Sequence, residues 1–348
     1  MKKISFFVLL GFFITVDLIY PGKAAILTEL ANPYKMEADN RRLYIAEGAS
    51  IFIYSLKDYS FIKRFGKQGE GPGEFKVVPN SNMGSVQFDI YPDYLIVHSI
   101  GRVSFFTKQG EFIKEMQSPS SAGYYKPLGK GNGFVGAAFS RENKSYYRTI
   151  NVYDPGLKKI KELYRQPAWF NPGKNINLFT LLRGLWFDVS AQILFIEKEK
   201  NRILLFNHKG EPMDSLLPPI KPLKVTPGKK KELLHVLETS ARFKAFYQRF
   251  KSSIRVPAYY PGIHSLHVGN QKIYVLSWRK KKGKSECLIY DLKKKVWDKM
   301  YIPLKEMNAL MPYPFTIRNG KLYQLIEAED TEKWELHVES IFFNHAAN

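Results

Sequence analysis

One feature constrains this chain more than any other: a short strand, turn and strand unit that returns about every 50 residues. The second strands of the unit read LYIAE (43–47), LIVHS (95–99), FVGAA (134–138), LFIEK (194–198), IYVLS (273–277) and LYQLI (322–326). Most are preceded by compact polar turns such as DNRR, YPDY, GNQK and RNGK, whose residues tolerate the unusual φ angles that hairpins need. Third strands read IFIY (51–54), VSFF (103–106), INVY (150–153), ILLF (203–206) and CLIY (287–290). Their closing aromatics, Tyr54, Phe106, Tyr153, Phe206 and Tyr290, keep the period until a larger last gap, which implies an insertion of about thirty residues. Six units of four short strands predict an all-β, six-bladed β-propeller. The sixth unit (314–343) supplies three clear strands, so the segment Ala25–Leu30 is expected to add the fourth and close the ring.

One stretch departs from the period. Within the insertion, about 226–252, Leu233, Val236, Leu237, Ser240, Phe243, Tyr247 and Phe250 share one stripe of a helix between blades four and five. Thr226 suits the N-cap and Pro227 the first helical position. The apolar stripe is expected to dock on the propeller.

The N-terminus carries an address. Met1-Lys2-Lys3, an apolar run Ile4–Tyr20 broken only by Asp17, and Gly22-Lys23-Ala24 together have the form of a secretory signal peptide over residues 1–24, with cleavage after Ala24. The same run could serve as an uncleaved anchor, but its length is short for a membrane span. The mature domain, residues 25–348, is therefore expected to be exported, periplasmic or extracellular. With one cysteine, Cys287, no intrachain disulfide can form, and its place in CLIY suggests a small buried hydrophobe.

The run FGKQGEGPGEF (65–75), the apolar strand ending FDIYPDYLIVHS and the following RVSFFTKQGEFIKEM resemble NHL-type six-bladed propellers. They are most similar to an exported bacterial "6-bladed β-propeller" group whose members often carry a G-x-GPGE loop. That resemblance implies the fold and a frequent role as a binding scaffold, but no particular activity. The glycine run itself is no phosphate cradle, because Pro72-Gly73 stands where Lys-Ser/Thr would be needed and a strand follows instead of a helix. It reads as the crossing from blade one to blade two. GNGFVG (131–136) matches a dinucleotide spacing, yet it also leads into a strand and reads as a hairpin turn.

A net charge of +21 favours anionic partners: an acidic polysaccharide, an envelope lipid surface or an acidic protein, rather than nucleic acid for an exported chain. Propeller ligands usually sit where the inner strands begin. There the expected mouth residues are Lys35, Gln87, Lys126, Arg183, His264 and Thr316, cationic or neutral. Glu37, Asp89 and Asp188 fall further along and leave a deeper site open. Trp169 and Phe170 and the RKKKGK loop that starts at Arg279 are expected on the same face, where cations beside rings suit an anionic or carbohydrate-like ligand. The candidate ligand-binding set is thus Lys35, Lys126, Arg183, His264, Trp169 and Arg279. No metal, cofactor or catalytic residue is expected: His264 and His267, three apart on a strand, point to opposite faces, and the acidic run at 327–332 lacks a calcium-loop pattern. The leading expectation is a non-catalytic binding module. The alternative is a lactonase- or lyase-type enzyme at the channel mouth, which carboxylates converging on the channel would favour; an empty, positive mouth would favour binding.

Overall fold

The computed structural model describes residues 22–77, 86–119, 123–129, 131–168, 171, 175–182, 185–190, 193–198, 201–240, 243–269, 271–329 and 331–341. After β1 (Lys23–Leu27), sheet one consists of β2 (Pro33–Ala38), β3 (Arg42–Glu47), β4 (Ser50–Ser55) and β5 (Phe61–Phe65). Sheet two holds β6 (Gln87–Ile90), β7 (Tyr94–Ser99), β8 (Arg102–Thr107) and β9 (Phe112–Gln117). Sheet three holds β10 (Tyr124–Pro127), β11 (Phe134–Glu142), β12 (Ser145–Tyr153) and β13 (Lys159–Pro167). A short β14 (Ile176–Asn177) and α1 (Leu178–Leu182) lead into sheet four: β15 (Phe187–Ser190), β16 (Ile193–Lys198), β17 (Arg202–Asn207) and β18 (Pro212–Leu216). The insertion forms α2 (Pro227–Thr239), α3 (Lys244–Phe250) and β19 (Ile254–Arg255), which pairs in parallel with β14. Sheet five is β20 (Ile263–Gly269), β21 (Lys272–Lys281), β22 (Lys284–Asp291) and β23 (Val296–Ile302). After a small hairpin, β24 (Glu306–Asn308) and β25 (Met311–Pro312), sheet six is β26 (Phe315–Arg318), β27 (Lys321–Glu327), β28 (Trp334–Ser340) and, as its outer strand, β1.

The burial of each strand follows its place in its sheet. In β4 and β8 the four central residues are buried on both faces, as expected of strands sandwiched between neighbouring sheets. The outer strands β5 and β9 are almost wholly exposed. Each consecutive pair of sheets shares an apolar cluster. Tyr44, Ile53, Phe88 and Val97 join sheets one and two; Phe105, Tyr125 and Tyr153 join two and three; Val135, Val152, Phe187 and Phe206 join three and four. Ile203, Leu205, Val275 and Leu288 join four and five, and Leu276, Cys287, Ile317 and Leu322 join five and six. Met36, Ile45, Leu325, Trp334 and Leu336 then join six back to one. The chain is an all-β propeller with three short helices among its described residues.

Sheet six closes between the two ends of the domain, as the pattern required. β1 pairs antiparallel with β28, Leu27 opposite Trp334 and Lys23 opposite His337, and Leu27 is fully buried. The paired strand is Lys23–Leu27, so it begins two residues before the expected cleavage point. The segment 1–21 lies outside the described residues.

The glycine-rich run crosses from sheet one to sheet two and ends in a plug. Phe75 is fully buried between Phe65 and Phe106, with ring centroids 6.5 and 5.7 Å away. Gly66 has φ +80°, and a Cβ there would stand 2.2 Å from the Phe75 ring. The Glu74 carboxylate accepts from the Gly71 N–H at 2.8 Å and pairs with Lys67, which ties the turn to itself.

The insertion departs from the single helix expected. The helix breaks after Thr239, Ser240 adopts an extended conformation, and α3 restarts after Phe243. Thr226 does cap α2, its hydroxyl accepting from the Lys229 N–H, with Pro227 following. The apolar stripe docks as expected: Leu233, Leu237 and Phe243 are buried with Phe179, Ile254 and Leu310.

Candidate functional site

The alternation of a strand sends every second residue of an inner strand into the central channel. Six inner strands therefore contribute Glu37, Asp89, Lys126, Asp188, His267 and Thr316 to one polar ring. The ring lines a cavity of about 1090 Å3. This cavity opens through the turns that join first to second strands and third to fourth, among them residues 39–42, 91–93, 108–109 and Arg318. That is the face opposite the interblade loops, where the ligand was expected.

Lys126 is the centre of the ring. Its ammonium lies 2.8 Å from Asp188 Oδ1 and 3.0 Å from Asp89 Oδ1, while Tyr124 donates to Asp89 Oδ2 at 2.5 Å. Burial alone would neutralise Lys126, but Asp188 and Asp89 outweigh it and hold the ammonium well above the ordinary lysine range. Burial also opposes the charge of Asp89; Lys126, Lys35 and the Tyr124 hydroxyl overcome it and keep that carboxyl below its usual value. Glu37 differs. Its desolvation exceeds the help from Lys35, Asp89 and Asp188 add repulsion, and its carboxyl is raised toward the neutral form. Thr316 donates to Glu37 at 3.2 Å.

Two histidines stand here, His267 in the ring and His98 buried beside it. His98 Nε2 accepts from the Tyr125 N–H at 3.1 Å, and burial pushes the imidazole down to about 4. His267 packs its ring 4.8 Å from Phe315 and is likewise lowered to about 4, chiefly by burial. Its Nε2 is shielded from solvent and has no hydrogen-bond partner among the described residues.

Of the candidate set, Lys35 and Lys126 both approach the Tyr124 ring, at 5.7 Å each, and Lys126 lines the channel. Neither offers an open cationic mouth. Lys35 donates to the Phe88 carbonyl at 2.5 Å, and Lys126 is held by two carboxylates. His264 sits away from the cavity, edge-on to Trp278 at 4.4 Å beneath the helical insertion. Arg279 is an anchor: its Nε and Nη2 donate to the carbonyls of Lys221 at 3.1 Å and Pro222 at 2.8 Å. Arg183, Trp169 and Phe170 lie outside the described residues. The three carboxylates that sequence spacing placed further along do line the channel, Asp89 and Asp188 around the Lys126 ammonium and Glu37 3.9 Å from Lys35. Among the described residues no group of His, Cys, Asp and Glu has the arrangement of a metal site. Cys287 is fully buried, and burial pushes its thiol up to about 12, which leaves it inert at neutral pH.

The anchoring by Arg279 has a consequence on the interblade-loop face. It fastens the β21–β22 hairpin, with exposed Lys281, Lys282 and Lys284, to the chain entering α2. The first turn of α2 carries Lys229, Lys230 and Lys231 with no acid. Glu306 pairs with Lys280 at 2.6 Å and also acts on Lys229, which itself pairs with Glu232, so hairpin and helix lie side by side with Lys230, Lys231, Lys281, Lys282 and Lys284 exposed around these pairs.

No family model matches the chain, and no curated protein matches it in sequence. Among solved structures it is similar to the AfRom2 CNH domain, at 12% identity and a TM-score of 0.42, over 92% of this chain and 98% of that one. It is also similar to the Neurospora crassa Pan2 WD40 domain, at 8% identity and a TM-score of 0.44, over 90% and 92% of the two chains. A third likeness, to the computationally designed Ika8 protein, has 7% identity and a TM-score of 0.38 over 92% and 100%. The fold rests on the sheet topology; these likenesses transfer neither ligand nor activity.

Proposed function

We propose that this chain is an exported six-bladed propeller of the NHL type that works as a non-catalytic binding module. Its basic loop face engages an anionic polymer, an envelope surface or an acidic protein. The six consecutive four-stranded sheets and the GPGE crossing support the first part, and the form of residues 1–24 supports export to the periplasm or beyond.

The observation that carries the binding reading is the lysine surface shared by α2 and the β21–β22 hairpin. Lys230 and Lys231 stand near the positive end of a helix dipole with no acid of the first turn to offset them, while Lys229 already pairs with Glu232 at 2.6 Å. An anion docking there would offset that charge and release counterions, so affinity should fall steeply with salt. The test is retention on polygalacturonate and on phosphatidylglycerol vesicles at low and at physiological salt. Retention at low salt that disappears in a Lys229→Glu, Lys230→Glu, Lys281→Glu variant supports the reading. No retention at low salt, or retention indifferent to the three reversals, overturns it.

A second reading, a lactonase- or lyase-type enzyme, draws on Glu37, Asp89 and Asp188 in the channel. Glu37, raised toward neutrality, has the character of a general acid. The Lys126 ammonium occupies the position between Asp89 and Asp188 where a catalytic cation would be held. Hydrolysis of a lactone panel that is lost in Glu37→Gln would establish this reading in place of the first.

A further inference from the structure

The turns DNRR (39–42), TKQGEF (107–112) and RNGK (318–321) do more than reverse the chain. They bring Arg42, Lys108 and Arg318, from sheets one, two and six, to one rim of the channel cavity. A single carboxylate, Asp39, stands among them, and its oxygens are already taken. Oδ1 accepts from the N–H groups of Arg41 and Arg42 at 2.8 and 2.7 Å, and Oδ2 accepts from Tyr44 Oη at 3.1 Å and Lys108 Nζ at 3.2 Å. The Asp39 and Lys108 side chains keep only 17% and 14% of their exposure, so water screens this cluster weakly. Arg318 Nε is buried and has no hydrogen-bond partner among the described residues. Burial lowers the Lys108 ammonium, and the repulsion of Arg318 and Arg42 adds to that, against the opposing pull of Asp39. The inner-ring carboxylates are engaged elsewhere: Asp89 and Asp188 hold Lys126, and Glu37, its carboxyl raised chiefly by burial, stands 3.9 Å from Lys35. Asp93 also borders the cavity, exposed at another turn.

We infer that the turn-face mouth of the channel binds a small molecule bearing a carboxylate or phosphate group. Arg42 and Arg318 hold the oxyanion, with Lys108 completing the charge. Guanidinium forks match the planar or tetrahedral oxygens of such groups bidentately, and these charge-assisted bonds are strong where water is excluded. The neutral remainder of the ligand lies toward the ring, where Glu37 and Thr316 line the cavity and supply hydrogen bonds. The enclosure by turns selects a compact ligand over a polymer. This site lies on the opposite face from the lysine surface and does not depend on it.

Inorganic phosphate and citrate are suitable probes, titrated calorimetrically at low salt into the full chain, with melting temperature followed in parallel. The expected result is millimolar or tighter binding of at least one probe with a rise in melting temperature. Arg318→Gln should weaken it about tenfold or more, one lost charge-assisted bond being worth that much. Arg42→Gln provides an independent arm should Arg318→Gln fold poorly. Lys281→Glu with Lys282→Glu, on the other face, should leave it unchanged. Absence of binding for both probes, binding that survives both arginine changes, or binding removed only by the lysine reversals would overturn the site.

Discussion

Lys126 and Asp188 lie 2.8 Å apart across the boundary between sheets three and four, and Asp89 approaches the same ammonium from sheet two at 3.0 Å. One side chain thus bridges three sheets at the axis. Removing it leaves two carboxylates desolvated and unpaired, which typically costs about 3–5 kcal/mol. Lys126→Met should show that loss in urea unfolding. The triple change Lys126→Met, Asp89→Asn, Asp188→Asn should recover most of it, because no buried charge is then left alone. A single variant as stable as the parent would mean that water reaches the ring.

Stability should fall on mild acidification. His98 is neutral in the fold at any pH above about 4, whereas the unfolded chain takes up a proton near the ordinary 6.5. The unfolded state therefore binds more protons between those limits, and stability declines as pH falls from 6.5 toward 4. Between pH 7 and pH 5 the linkage amounts to about 2 kcal/mol for His98. His267 adds to it in the same direction, less strongly because it borders a cavity. Glu37, raised, works in the opposite sense. Urea midpoints across this range should slope with pH, and His98→Gln should flatten the slope.

Phe75→Ala should destabilise the chain by about 3–5 kcal/mol, the usual cost of truncating a fully buried aromatic. Gly66→Ala should also lower the melting temperature, since a Cβ meets the Phe75 ring and φ is positive. Neither change should alter binding to anionic polymers, which separates the role of this loop in the fold from any role in recognition.

The closing strand offers a graded test. Starting the chain at Ala25 removes the Lys23–Glu335 pair, whose lysine is 40% exposed, and should cost at most about 1 kcal/mol. Leu27→Ala opens a cavity against Trp334 and Leu336 and should cost about 2–5 kcal/mol. Melting curves of the two proteins should differ accordingly.

The strand repeat was legible because its signal is local: LYIAE, IFIY and their counterparts alternate and end in turn residues within a few positions. The same alternation marked Glu37, Asp89 and Asp188 as deeper in the channel. What local pattern could not carry was pairing across sheets. Nothing near Lys126 in sequence announces that Asp89 and Asp188 will neutralise it, so a cationic mouth was expected where an ion cluster stands. The anchoring by Arg279 was illegible for the same reason, since its partners are carbonyls almost sixty residues away. The helix break at Ser240 left no Gly or Pro to betray it, and the one polar member of the stripe, Ser240 itself, was the only local sign of it. The rim of Arg42, Lys108 and Arg318 is spread over turns of three sheets, and each turn alone had a sufficient conformational explanation.

The pairing of β1 with β28 also sets how the ring would respond to force. The strands run antiparallel, and Lys23 at the start of β1 lies opposite His337, toward the end of β28. A load that separates these two strand ends meets their hydrogen bonds one after another, as in a zipper, rather than all together in shear. Tension across the closure would open the propeller at its outer seam at low force, with the axial ion cluster still intact.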